Sequence, residues 1–274
     1  MSQDHHQPAS PDEIVGGEER RRRIIRYWDS ALLASPHAST SHAHPDVAWL
    51  DNAIEQRRLA RLLGRLGGPR RRCLDVGAGY GRFAPLFRRL YARVVMLEPA
   101  ARLYADLVRR WGDAPAVRCI QQAFEAYTDP EPFDLVFASG VLYLYDDAMA
   151  RAFAGKAAGM LAPRGLLVLR DFLGLPGPRV VPSAYVEGAQ CHYREPAFWE
   201  RLGQEAGLEV LAVERSKPRL ALLRRGTLAA GLGRLGLTRA LRCRLAARCA
   251  ELGGSFSLRR PGVHTVFLAL GATR

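Results

Sequence analysis

From Cys73 onward the chain alternates short apolar runs with stretches whose apolar residues recur every three or four positions. The runs at 73–76, 94–97, 117–120, 133–138, 166–170, 209–214 and 263–270 have strand length. Between them, 82–90, 101–111, 148–160 and 196–206 carry helical periodicity. Strands that alternate with helices predict a sheet covered on both faces. The expected fold class is therefore α/β: a doubly wound, mostly parallel, seven-stranded sheet.

Two further helices precede this pattern. Residues 18–30 place Ile24, Ile25 and Trp28 on one stripe, continued by Leu32 and Leu33, with Glu18 and Glu19 at the favourable end of the helix dipole. Residues 47–66 carry Leu50, Ile54, Leu59, Leu62, Leu63 and Leu66, after Asp46 as N-cap and before Gly67, Gly68 and Pro69. The expected division is a disordered tail over 1–17, a helical cap over 18–68 and the main domain over 69–274. Residues 35–45 read as a loop holding His37, His42 and His44, and His5 and His6 read as part of the tail. Residues 217–254 read as a helical insertion before the last strand. There Leu241, Leu245, Cys249 and Leu252 form a stripe flanked by arginines, which suits a lid or a weak membrane-surface contact.

Composition changes this picture little. Hydrophobic residues make up 48% of 274, enough for a sizeable core. The net charge of +13 invites a nucleic-acid reading. Only Lys156 and Lys217 are lysines, however, and the arginines are spread along the chain with abundant Ala, Gly and Leu. That is compositional bias, not a clustered nucleic-acid footprint. Five cysteines without C-x-x-C spacing, and no apolar signal-type stretch near the start, point to a reducing cytoplasm. No uncharged apolar run reaches the ~20 residues of a membrane span.

The candidate chemistry begins where the first strand stops. Asp75 closes it, and Gly77, Ala78, Gly79, Tyr80, Gly81 and Arg82 follow. Glycines let the backbone approach a ligand without a Cβ in the way. The third glycine comes one residue earlier than in the dinucleotide fingerprint, and Arg82 stands in its place. Arg82 can meet a carboxylate with charge-assisted hydrogen bonds. Seventeen residues after Gly81, the second strand ends in Glu98, placed to accept from both hydroxyls of a ribose. A ligand with a ribose and an α-carboxylate but no phosphate is S-adenosyl-L-methionine.

In this order the chain resembles the class I S-adenosylmethionine-dependent methyltransferases. The resemblance rests on residues 74–81, on Leu97, Glu98 and Pro99, on 133–137 and on 161–169. It implies that Asp75 orders the glycine turn and that Glu98 binds ribose. Gln122, Ala123 and Phe124, after the third strand, would flank the adenine, where members often carry an acid such as Glu125. Ser139 to Asp147 would line the transfer site. Many members carry His where Tyr143 stands, and a tyrosine with pKa near 10 is no ready base.

Catalytic candidates are Tyr143, Asp171 at the end of the fifth strand, and His192. The last follows a proline-containing loop over 173–193, too long for a plain connector. The expected function is methyl transfer to O or N of a small molecule, with no metal. A peptide α-amine is the alternative acceptor, favoured by Tyr27, Trp28, Arg170 and Asp171 and opposed by Tyr143. A non-catalytic binding protein on the same fold is the reading from a different class.

Overall fold

The computed structural model describes residues 17–30, 45–184, 186–217, 219–220, 234, 241, 245, 254–255, 258 and 261–272. The tail histidines, the 35–44 loop with its three histidines, and most of the 217–254 insertion lie outside them.

Helix α1 (Gly17–Ser30) and helix α2 (Pro45–Leu66) lead into β1 (Arg72–Val76), α3 (Ala84–Leu90), β2 (Arg93–Leu97), α4 (Ala101–Trp111) and β3 (Val117–Ile120). There follow β4 (Phe133–Ser139), α5 (Asp147–Gly159), β5 (Leu161–Leu175), β6 (Arg179–Pro182), β7 (Gln190–Tyr193), α6 (Pro196–Glu205) and β8 (Leu208–Arg215). The chain ends with β9 (Arg219–Leu220), β10 (Gly254–Ser255) and β11 (Gly262–Ala272).

Seven strands form one sheet in the order β3-β2-β1-β4-β5-β11-β8. All neighbours run parallel until β11, which is antiparallel to both β5 and β8. The chain reverses its direction across the sheet between β1 and β4, and ligands in such sheets sit beyond the strand ends at that point.

The strands are apolar on both faces because each face meets a helical layer. One parity of residues, including Leu74, Val136, Leu167 and Leu268, packs with Phe153 of α5 and Trp199 of α6. The other, including Cys73, Phe137, Val168 and Phe267, packs with α3 and with Leu59, Leu62 and Leu63 of α2. Helix α2 thus shares a core with the sheet, and the boundary expected at residue 68 cuts through packed leucines.

Two further expectations are corrected. The fifth strand begins at Leu161 and runs to Leu175, with a register irregularity opposite Phe133 and Leu135 that absorbs the expected turn; Arg164 sits there at φ 64°. The expected loop over 173–193 is largely β-structure: the end of β5, then β6 paired antiparallel with β7. The short strands β9 and β10 pair antiparallel with each other, apart from the main sheet.

Candidate active site

One cavity of about 850 Å³ opens along the rim where β1, β2, β4 and β5 end. It lies near the top of the range for small-molecule sites, roughly 300–1,000 Å³. Its first half is built by the glycine loop. The Ala78 amide donates to the Leu97 carbonyl at 2.9 Å, tying the loop to β2. Gly79 lies at φ 58°, and a Cβ there would point into open space. The backbone is thus bare where a ligand approaches. Gly81, at φ 78°, does something else: a Cβ there would lie 2.5 Å from the Trp111 indole nitrogen. It does not line the cavity but lets α4 pack on the loop, which corrects its expected place among ligand contacts.

Glu98 is buried on the cavity wall. Its Oε2 accepts from the Gly79 amide at 2.8 Å and its Oε1 from the Ala100 amide at 2.9 Å. Each oxygen keeps a second lone pair for a ligand hydroxyl. Burial pushes its carboxyl up to about 7, against the pull of the two amides. Asp75 is pushed further, to about 8, by burial, with Arg82 opposing and Glu98 adding to the rise.

Gln122, Ala123, Phe124 and Glu125 all line the cavity. Phe124 opens a single 3₁₀ turn, Phe124–Ala126, which brings this segment to the rim beside β2. Glu125 accepts from the Tyr145 hydroxyl at 2.9 Å and pairs with Arg21 at 3.1 Å. Ile24, Ile25 and Trp28 of α1 close the cavity from above.

The second half is built from Ser139, Gly140, Val141 and Tyr143 after β4, Arg170 and Phe172 of β5, Val181 and Pro182 of β6, and Cys191 and Tyr193 of β7. Phe172 lies edge-on to Tyr143 (5.0 Å between ring centroids) and to Tyr193 (5.6 Å). Burial raises the Tyr143 hydroxyl well above its ordinary pKa, so it is a donor and not a base at neutral pH.

Two catalytic candidates are turned away by the two-residue period of the strands. Arg170 and Phe172 face the cavity, so Asp171 between them points to the opposite side. It accepts there from the Phe172 amide at 2.7 Å, and burial pushes its carboxyl up to about 6. Likewise Cys191 and Tyr193 line the cavity while His192 does not. His192 meets Arg20 of α1 at 3.2 Å. Burial, with Arg194 and Arg20, lowers its pKa to about 4.

The sequence reading missed a charged group beneath the second half. Glu55 of α2, fully buried, accepts from Arg82 at 2.6 Å, from Arg170 Nε at 2.9 Å and from the Ser216 hydroxyl at 2.8 Å. Burial alone would raise its pKa, but Arg170, Arg82 and Lys217 hold it well below the usual carboxylate range. Arg82 also donates to Ser139 Oγ at 3.0 Å. Lys217 pairs with Asp51 at 2.8 Å. A signal was present: Asp51, Asn52 and Glu55 form a polar face on an otherwise leucine-rich helix.

The observations fit S-adenosylmethionine: a bare glycine turn, a carboxylate with spare acceptors and a guanidinium at the strand switch. Residues 51–213 match a family model described as a methyltransferase domain. A ubiquinone biosynthesis O-methyltransferase of Rhodopseudomonas palustris (strain BisA53) is 30% identical over 176 residues, 62% of this chain and 67% of that protein. Among solved structures, a Burkholderia thailandensis 1,6-didemethyltoxoflavin-N1-methyltransferase, with its acceptor and S-adenosylhomocysteine bound, superposes with TM-score 0.64 at 16% identity. The match covers 97% of this chain and 94% of that one. A DhpI–S-adenosylhomocysteine complex superposes with TM-score 0.56 at 18% identity, over 92% and 97% of the two chains. The chain belongs to the methyltransferase-domain family of class I S-adenosylmethionine-dependent methyltransferases.

Proposed function

We propose that the protein transfers a methyl group from S-adenosylmethionine to an oxygen or nitrogen of a small, ring-containing molecule. The observation that carries this reading is the single cavity joining the glycine loop and Glu98 to an aromatic-walled second half. The relatives' names support it: one is an O-methyltransferase of ubiquinone biosynthesis, and another holds a didemethyltoxoflavin. We read α1 and the β6–β7 ribbon, which wall the rim, as favouring an enclosed acceptor over an extended peptide.

In this reading the glycine loop and Glu98 hold the nucleoside, Gln122 to Phe124 flank the adenine, and Arg82 meets the amino-acid carboxylate. The bound sulfonium supplies the electrophilic methyl, so the chain must chiefly align a nucleophile and exclude water. No histidine is among the described residues that line the cavity. We place Tyr143 and Phe172 as the residues that orient the acceptor ring.

The test is calorimetric titration with S-adenosylhomocysteine, followed by transfer of labelled methyl to panels of phenols, heteroaromatic amines and short peptides. Binding of the nucleoside with label in the ring compounds is the expected result. Label in the peptides alone would reverse the acceptor assignment.

A further inference from the structure

The charges around the cavity are unevenly spread. Its nucleoside half is lined by the carboxyl groups of Asp75, Glu98 and Glu125, with Arg21 and Arg82. Beyond Tyr143 the balance inverts: among the described lining residues Arg170, Arg215 and Lys217 stand against Asp51, with Glu55 buried beneath Arg170. The fold explains why they converge. Arg170 lies in β5 and Arg215 ends β8, and these strands flank β11 and end at one rim, although Arg215 stands at the register position of Asp171 and not at that of Arg170. Lys217 follows two residues later and lies close enough for Arg170 to disfavour its charged form.

Arg170 is the centre of this group. It is 5% exposed, and Glu55 takes only its Nε, at 2.9 Å. Among the described residues no hydrogen bond engages its two terminal nitrogens, although the side chain lines the cavity. Glu55 therefore fixes the plane of the guanidinium and leaves its outer edge as a two-pronged donor. Such an edge matches a carboxylate in geometry as well as charge. The Arg170 guanidinium carbon lies 5.6 Å from the Phe172 ring centroid. The donor edge is thus next to the Phe172, Tyr143 and Tyr193 wall. Glu55 already balances the charge of this guanidinium, but its two terminal nitrogens still lack acceptors, so the site favours a ligand that supplies them.

We propose that the acceptor is an aromatic acid, whose carboxylate docks on Arg170 with Lys217 nearby while its ring lies against Phe172 and Tyr143. This rests on the methyltransferase reading above and adds the acceptor's chemical class. It also separates the two arginines that Glu55 bridges: Arg82 serves the nucleoside's amino-acid end, and Arg170 serves the acceptor.

The experiment uses the full chain saturated with S-adenosylhomocysteine. Para-hydroxybenzoate, protocatechuate and para-coumarate are each titrated against their primary amides, which keep the ring and lose the charge. At least one acid should bind, about tenfold or more tighter than its amide, as expected for a charge-assisted pair in a dry site. Arg170→Gln should bring that acid to within about threefold of its amide while S-adenosylhomocysteine affinity is kept. No acid binding, or equal binding of acid and amide, overturns the proposal. So does a folded Arg170→Gln that loses the nucleoside and keeps the acid preference, which would assign Arg170 to the cofactor. If that variant does not fold, the acid–amide comparison on the unaltered chain decides alone. Failure of the nucleoside itself to bind refutes the methyltransferase reading instead, so the two failures are distinguishable.

Discussion

At the scale of single residues, Glu98 is the one whose chemistry reports most directly on the ligand. Its carboxyl stands at about 7 because burial outweighs the two backbone amides that hold it. A raised carboxyl contributes stability that is present below its ordinary value and lost as pH rises through about 7. Ribose recognition has the opposite sign, since ligand hydroxyls need the ionised form as acceptor. S-adenosylhomocysteine affinity should therefore fall as pH drops from about 8 to about 6, and Glu98→Gln should flatten that profile. Asp75, at about 8, protonates at the top of the same window, so the flattening in Glu98→Gln is what assigns the effect to Glu98. Glu98→Ala should weaken binding about 10–100-fold, the worth of charge-assisted hydrogen bonds, whereas Tyr143→Phe should stay within about threefold. Calorimetry on the three variants checks this, and equal losses would remove the ribose assignment.

Among the elements, what could be read from sequence followed from periodicity and glycine. The strands ending at Asp75, Glu98 and Ser139 announced themselves by apolar runs that stop at polar residues, and all three residues line one cavity. Asp171 and His192 went astray for a reason that the same patterns cannot resolve. Which parity of a strand faces the rim depends on the layer packed against it, and a one-residue change of parity swaps Asp171 for Arg170. Glu55 was hidden differently. Its partners lie 27 and 115 residues away along the chain, so its meaning exists only once α2 is packed beneath β5. That helix carries a stability prediction. Removing the Glu55 charge leaves Arg82 and Arg170 buried and unpaired, so Glu55→Gln should cost about 3–5 kcal/mol in thermal or denaturant unfolding. The Glu55 carboxyl lies below its unfolded value, so its contribution is present above the ordinary carboxylate range and is lost as pH falls beneath it. The wild type should therefore lose stability on acidification more steeply than the variant. An unchanged midpoint would mean that the cluster is solvated enough to dispense with its carboxylate.

For the whole molecule, α1 is the element that joins the two halves of the site. It runs from β7, where Arg20 meets His192, to the start of α4, where the Arg102 amide donates to Asp29 at 3.1 Å. Between these ends Arg21 pairs with Glu125, and Ile24, Ile25 and Trp28 face the cavity. Fourteen residues are too few for a stable isolated helix in water, so α1 holds its shape through these contacts. The sheet has its own cores on both faces without it; only Ile24 touches the larger one. Deleting residues 1–30 should accordingly leave the far-ultraviolet circular dichroism of a folded α/β domain. It should lower S-adenosylhomocysteine affinity by about tenfold or more, because the apolar roof over the nucleoside half is gone. Raising salt on the intact chain should act in the same direction but more weakly, since it screens the Arg21–Glu125 pair and leaves the apolar contacts in place. If the truncated chain binds the nucleoside as tightly as the full one, α1 is an ornament on the rim. The enclosure that favours a small acceptor over a peptide would then have to come from the β6–β7 ribbon alone.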